Sequence, residues 1–250
     1  MTTVINNPSK ENTMNLKDSV VFITGANRGL GLQLAKAALA AGAKKVYGAA
    51  RDPKSVTLPG VTPVQLDVTN HDEIAAVTRE YKDVNVLINN AGIVRAGGIL
   101  ADNALEQARA ELETNLIGPM LLSKGFAPAL KANGGGAIVN ILSVLAWYSQ
   151  GPTNTYSMSK SAAWALTNGL RIELAPQGTL VVGAHMGYME TDMTAGYEVP
   201  KIKPEEVAAQ IFTALAEGKE EVLADDLTRQ VKLGINAELP AYIAASRAAA

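Results

Sequence analysis

The stretch Thr24-Gly25-Ala26-Asn27-Arg28-Gly29-Leu30-Gly31 decides the fold. It follows an apolar run, residues 19–24, and leads into an Ala/Leu-rich helical pattern, 30–41, closed by Gly42. Glycines at a strand-to-helix turn let the chain bend sharply and let backbone N–H groups approach a phosphate, while the helix N-terminus adds partial positive charge. The spacing is not GxGxxG, and three glycines in a loop also suit a plain turn. Their place between the first strand and the first helix is what points to a dinucleotide site.

Outward from this turn, apolar runs recur at 45–49, 62–66, 84–89, 136–142, 179–185 and, briefly, 221–224. Between them lie helical patterns at 70–81, 103–132 and 155–174. Asn70 precedes Glu73 at capping-box spacing. The 103–132 pattern ends in Gly134, Gly135 and Gly136, and its internal Pro119 and Pro128 predict a bend or break. The 155–174 pattern stops just before Pro176. Such alternation is the signature of βαβ units, and strands this continuously apolar are expected when helices cover both faces of a parallel sheet. The expected organisation is a polar arm at 1–15 followed by one α/β domain at 16–250, without internal repeats.

Composition narrows the function. The hydrophobic fraction of 48% and charged fraction of 18% are ordinary for a globular chain. A net charge of -2 with both signs interspersed gives no field for nucleic acid or an anionic membrane. The absence of cysteine removes disulfides, thiolate metal sites and thiol nucleophiles. Two histidines, His71 at a helix start and His185 at a strand end, lack metal-ligand spacing, so no metal is expected. The first residues lack a basic start followed by an apolar run, and no 18 uncharged apolar residues run together, so a cytoplasmic protein is expected. Met14 is an alternative start.

Tyr156 and Lys160 are four positions apart on a predicted helix, hence on one face. A nearby ammonium favours a phenolate, and so brings a tyrosine toward useful proton exchange. A solvated Tyr/Lys face would be the plainer interpretation were it not for Ser143 at the carboxyl end of the fifth apolar run, where ligands of open α/β sheets bind.

The set formed by Thr24-Gly25-x-x-x-Gly29-x-Gly31, Asn89-Asn90-Ala91-Gly92, Ser143 and Tyr156-x-x-x-Lys160 resembles the short-chain dehydrogenase/reductase family, most closely its carbonyl reductases. The likeness covers about residues 17–230. It implies a Rossmann-type three-layer αβα sandwich with a seven-stranded parallel sheet in the order 3-2-1-4-5-6-7. It further implies hydride transfer between a nicotinamide cofactor and a ketone, aldehyde or alcohol. By this resemblance Tyr156 is the general acid/base and Ser143 orients the substrate oxygen. Lys160 lowers the tyrosine pKa and binds the ribose, and Asn115 anchors a water in a proton relay. Gly25, Asn27, Arg28, Gly29, Leu30 and Gly31 would hold the cofactor at the turn. Asp67, Val68, Asn89, Ala91 and Gly92 would serve its adenosine side, and Gly187, Thr191 and Met193 its nicotinamide side. The long helices would pack on symmetry mates to give homodimers or homotetramers, with Ala162, Ala163, Ala165 and Gly169 allowing close approach.

In dinucleotide folds an acid after the second strand selects NAD, and an arginine there accommodates the phosphate of NADP. Ala50 stands at the acid's place and Arg51 follows, so NADPH is expected over NADH, with Asp52 as a turn residue before Pro53. The family usually has Pro-Gly after the sixth strand, whereas this chain has Met186-Gly187; a looser nicotinamide pocket, with Met186 toward the substrate, is the expectation. With Met186, the residues Val94, Leu145, Trp147, Tyr148, Tyr188, Met189 and Met193 suggest an apolar wall for bulky substrates. A cofactor sensor without catalysis would not need Tyr156 and Lys160. A sugar-nucleotide epimerase would need a larger region after His185.

Overall fold

The structure, a computed structural model, describes residues 13–95 and 97–247. Seven strands form one sheet in the order β3-β2-β1-β4-β5-β6-β7, and every neighbouring pair is parallel. They are β1 Val20–Thr24, β2 Lys45–Ala50, β3 Val61–Gln65, β4 Val86–Asn89, β5 Ala137–Ile141, β6 Leu180–His185 and β7 Glu221–Leu223. The helices are α1 Gly29–Ala40, α2 His71–Glu80, α3 Ala104–Leu112, α4 Gly118–Ala132, α5 Asn154–Leu174, α6 Pro204–Glu217, α7 Asp226–Leu233 and α8 Ala241–Arg247.

The period of two along each strand sorts its side chains onto two faces. Val21 and Ile23 of β1 join Leu34 of α1 and Ile211 of α6 in one core. Phe22, between them, joins Val77 of α2, Phe126 of α4 and Leu174 of α5 in the other. With both faces covered, every residue of β1 and β6 is buried. β3 lies at the sheet edge, where Pro63 is tolerated and most positions are exposed.

The 103–132 pattern is three pieces. A π-helical turn, Glu113–Ile117, separates α3 from α4. Pro119 therefore sits in the first turn of α4, where its missing N–H is harmless, while Pro128 lies inside α4. Among the described residues, no helix is long and apolar enough to cross a membrane.

Candidate active site

The turn after β1 holds Gly25 at φ +66° and Gly29 at φ +52°, a region that side chains disfavour. Gly31 answers a different need: a Cβ there would lie 2.0 Å from the Gly25 carbonyl oxygen. Arg28 is the N-cap of α1 but its side chain makes no cap bond, and the first turn carries no acid. The leading amides of α1 thus face an outside acceptor, which suits a pyrophosphate. Asn27 is half-buried in the turn, and Leu30 turns its side chain into the core and leaves its backbone to the turn. Asn90, the one residue of Asn89-Asn90-Ala91-Gly92 to which the family resemblance assigns no role, clamps this cradle. Its Nδ2 donates to the carbonyls of Thr24 (2.8 Å) and Gly25 (3.1 Å), while the amides of Asn90 and Ala91 both donate to Thr24 Oγ1 at 2.9 Å. The residues therefore fit a dinucleotide.

Arg51 is exposed immediately after β2. Asp52 is turned into its own loop and accepts from the Lys54 amide at 3.0 Å, as a turn residue does. Arg28 reaches Asp192 at 2.6 Å. Beyond β3, Asp67 accepts from the Thr69 amide (2.9 Å) and hydroxyl (2.8 Å), and Val68 is buried, its carbonyl lying 2.5 Å from where a Cβ on Gly118 would stand. Asn89 is buried in the sheet, with Nδ2 donating to Asn140 Oδ1 (2.8 Å) and Ser123 Oγ (3.2 Å).

Ser143 follows β5 and heads a short 3-10 turn, its Oγ accepting from the Leu145 amide at 3.1 Å. Lys160 is buried in α5; its Nζ donates to the Ile141 carbonyl at 2.8 Å and stands 5.7 Å from the centre of the Tyr156 ring. Asn115 lies in the π-helical turn, a feature that recurs at functional sites. Its Oδ1 accepts from the Ile93 amide at 2.9 Å, and its Nδ2 donates to the Ile93 carbonyl (2.9 Å) and Ser159 Oγ (3.0 Å). One turn earlier, Glu111 Oε1 accepts from the Arg95 amide at 2.7 Å. Two side chains of one helical stretch thus fix the loop after β4. A Cβ on Gly92 in that loop would lie 3.2 Å from Asn115 Oδ1 and 3.8 Å from Lys160 Nζ. Asn89, Asn115, Asn140 and Lys160 border a cavity of about 10 Å³, room for one water.

A sequence profile described as short chain dehydrogenase matches residues 19–200. The chain belongs to the short-chain dehydrogenase/reductase family. A short chain dehydrogenase of Aspergillus terreus is 36% identical over 202 residues, covering 74% of this chain but only 44% of that protein's length. Dehydrogenase/reductase SDR family member 7B of Xenopus tropicalis is 32% identical, over 85% of this chain and 79% of that one. A short chain dehydrogenase from Burkholderia cenocepacia, solved in complex with NADP, superposes with TM-score 0.86 at 38% identity, over 90% of this chain and 95% of that one.

Within this short-chain dehydrogenase, burial dominates the electrostatics of the site. It pushes the Tyr156 phenol up to about 12, against a hydrogen bond with the Ser143 side chain, and the charge of Glu111 adds to the rise. It pushes the Lys160 ammonium down to about 8. The lowering of Tyr156 expected from Lys160 does not figure in this balance: the ammonium is held on the Ile141 carbonyl, and the phenol is governed by its burial, Ser143 and Glu111.

Some expected wall residues face elsewhere. Met186 is buried in the core beneath α6, not toward a substrate, and Met189 packs against the same core. Trp147 is buried and stacks on His185 with ring centres 4.1 Å apart. Ala163, expected to allow close approach of a second copy, is instead buried within the chain. Leu145, Tyr148 and Tyr188 remain partly exposed and Met193 exposed, while Thr191 Cγ2 lies 3.5 Å from where a Cβ on Gly29 would stand.

Proposed function

We propose that the protein is an NADPH-dependent oxidoreductase interconverting ketones or aldehydes and the corresponding alcohols, a carbonyl reductase in the reducing direction. The observation that carries this reading is the convergence of Ser143, Tyr156 and Lys160, with Asn115 behind them, at the carboxyl end of the sheet beside the glycine cradle. Gly25, Gly29, Gly31 and the α1 amides would hold the pyrophosphate, Arg51 and Arg28 the additional phosphate, and Thr191 the nicotinamide side. The bound cofactor supplies or accepts the hydride. Ser143 orients the substrate oxygen by a hydrogen bond. Tyr156, protonated at neutral pH, gives that oxygen its proton, and Lys160, charged below about pH 8, holds the ribose and favours the phenolate left behind. Asn115 fixes the loop and helix around the single-water cavity through which the proton is replaced.

Partly or fully exposed apolar groups in the loops after β5 and β6, Leu145, Tyr148, Tyr188 and Met193, favour bulky aryl or alkyl carbonyl compounds over polyols. NADP in the Burkholderia cenocepacia relative supports the cofactor choice. Homodimers or homotetramers through α5 are part of this reading: Met158 and Ile172 are 43% and 78% exposed, and a Cβ at Gly169 would meet nothing within 4 Å. A monomeric mass by light scattering would contradict that assembly. For the activity, loss of nicotinamide absorbance is to be followed on adding a panel of carbonyl compounds. Turnover of aryl ketones with NADPH is expected; far better turnover of sugars would overturn the substrate class.

A further inference from the structure

Residues 187–203 leave the end of β6, cross the glycine turn and return at α6. Thr191 lies over Gly29, and Asp192 pairs with Arg28, so the placement of this segment governs the cofactor face. The chain just before it is held by the sheet, through the Ala224 amide on the His185 carbonyl and the Val144 amide on the Met186 carbonyl, both at 2.9 Å. Further along, the segment closes on itself, with the Glu190 amide on the Ile202 carbonyl and the Ile202 amide on the Tyr188 carbonyl, each at 3.0 Å.

Between these two regions stands Gly187, and its amide donates to Asp225 Oδ2 at 2.6 Å. The other oxygen of the same carboxylate, Oδ1, accepts from the Thr228 amide at 2.8 Å and caps α7. A Cβ on Gly187 would lie 3.2 Å from Leu227 Cδ2, so α7 packs directly against the hinge. Bonds of an ionised acceptor to backbone N–H groups are short and about twice as strong as neutral ones. A proline at 186 would stiffen this point from within by fixing φ. Met186 leaves φ free, and the Asp225 carboxylate restrains the next residue from outside.

We propose that Asp225 is a positioning residue of the active site: it pins Gly187 to the capped end of α7 and so sets Thr191 against the glycine turn. This rests on the reading of the site as an NADPH site. Asp225→Ser separates the two bonds, because serine still caps α7 but is too short to reach Gly187 as well. The test compares amide hydrogen exchange and NADPH affinity, by nucleotide fluorescence, in the native protein, Asp225→Ser and Asp225→Ala. In the serine variant, exchange at Gly187 and through 187–203 should rise while α7 and the sheet keep their protection. NADPH should bind roughly 10-fold more weakly, with turnover at saturating cofactor within a few-fold of native. Asp225→Ala should add a lower Tm from the lost cap. Unchanged exchange at Gly187, or raised exchange with unchanged affinity, in a serine variant of a native protein that binds NADPH would overturn the role of Asp225 alone. Failure of the native protein to bind NADPH would overturn the reading of the site itself.

Discussion

Arg28 and Asp192 form a 2.6 Å ion pair that joins the glycine turn to the segment after β6. Both side chains are mostly exposed, so the pair does little for stability. If Arg28 meets the cofactor phosphate as proposed, the consequence is competition, since one guanidinium serves either Asp192 or that phosphate. Asp192→Asn should therefore tighten NADPH binding about 2- to 5-fold and leave NADH binding unchanged, as fluorescence titration of both nucleotides would reveal. Equal tightening of both would show that Arg28 does not meet the phosphate.

Arg51 carries the other half of the proposed NADPH preference. Exposed after β2 and without an acid at Ala50, it is free to turn toward a ribose phosphate. Arg51→Asp should weaken NADPH use and improve NADH use. The ratio of kcat/KM for the two cofactors is the measurement, and an unaltered ratio would refute the role.

Much of this was legible in the chain itself. The strand runs land within two residues of β1 to β7; the central ones, β1, β4, β5 and β6, are short and almost continuously apolar, as a sheet covered on both faces requires. The grouping of Ser143, Tyr156 and Lys160 was legible because the family resemblance puts them at fixed places on the fold, after β5 and one turn apart on α5. The π-helical turn was not: proline predicts a kink, but nothing local marks a widened turn at Asn115 rather than at Pro128. Helix α6 does carry local signals, with Pro204, Glu205 and Glu206 at its start and Gly218 at its end, but they lie outside the helical patterns at 30–41, 70–81, 103–132 and 155–174. Asp225, Glu111 and Asn90 were illegible because each acts on backbone groups distant in sequence. The core position of Met186 likewise depends on α6, which folds over it from later in the chain.

Lys160 should be a site where function opposes stability. Its ammonium, buried and pushed from 10.5 to about 8, is charged at neutral pH in an environment that disfavours charge. The unfolded chain holds this proton between pH 8 and 10.5 where the folded chain does not, so the native protein gains stability as pH rises through that window. Below it, the buried charge costs about 3 kcal/mol, less the bond to Ile141. Lys160→Met should be about 2 kcal/mol more stable at pH 7 in urea unfolding, with the advantage shrinking toward pH 10, and should lose turnover. A less stable variant at pH 7 would contradict this balance.

His185 gives the opposite limb. It is fully buried between Trp147 and the Ser143 carbonyl, to which Nδ1 lies at 3.1 Å, and burial pushes it down from 6.5 to about 4. It is neutral when folded, so Nδ1 carries the proton toward the carbonyl. The stability this contributes is complete above pH 6.5 and is lost as pH falls toward 4. Between pH 7 and pH 5 the native protein should lose about 2 kcal/mol more than His185→Asn does. Equal losses in the two proteins would show that the buried imidazole is not the source.

The proposed role of Tyr156 as the proton donor stands or falls on one substitution. Tyr156→Phe removes the phenolic hydroxyl while keeping the ring that fills the space beside Lys160. With an aryl ketone and NADPH, single-turnover oxidation of the bound cofactor should fall by at least about 10²- to 10⁴-fold while the NADPH dissociation constant stays within a few-fold of native. Near-native single-turnover rates in a variant that binds NADPH normally would contradict the role of Tyr156 as proton donor.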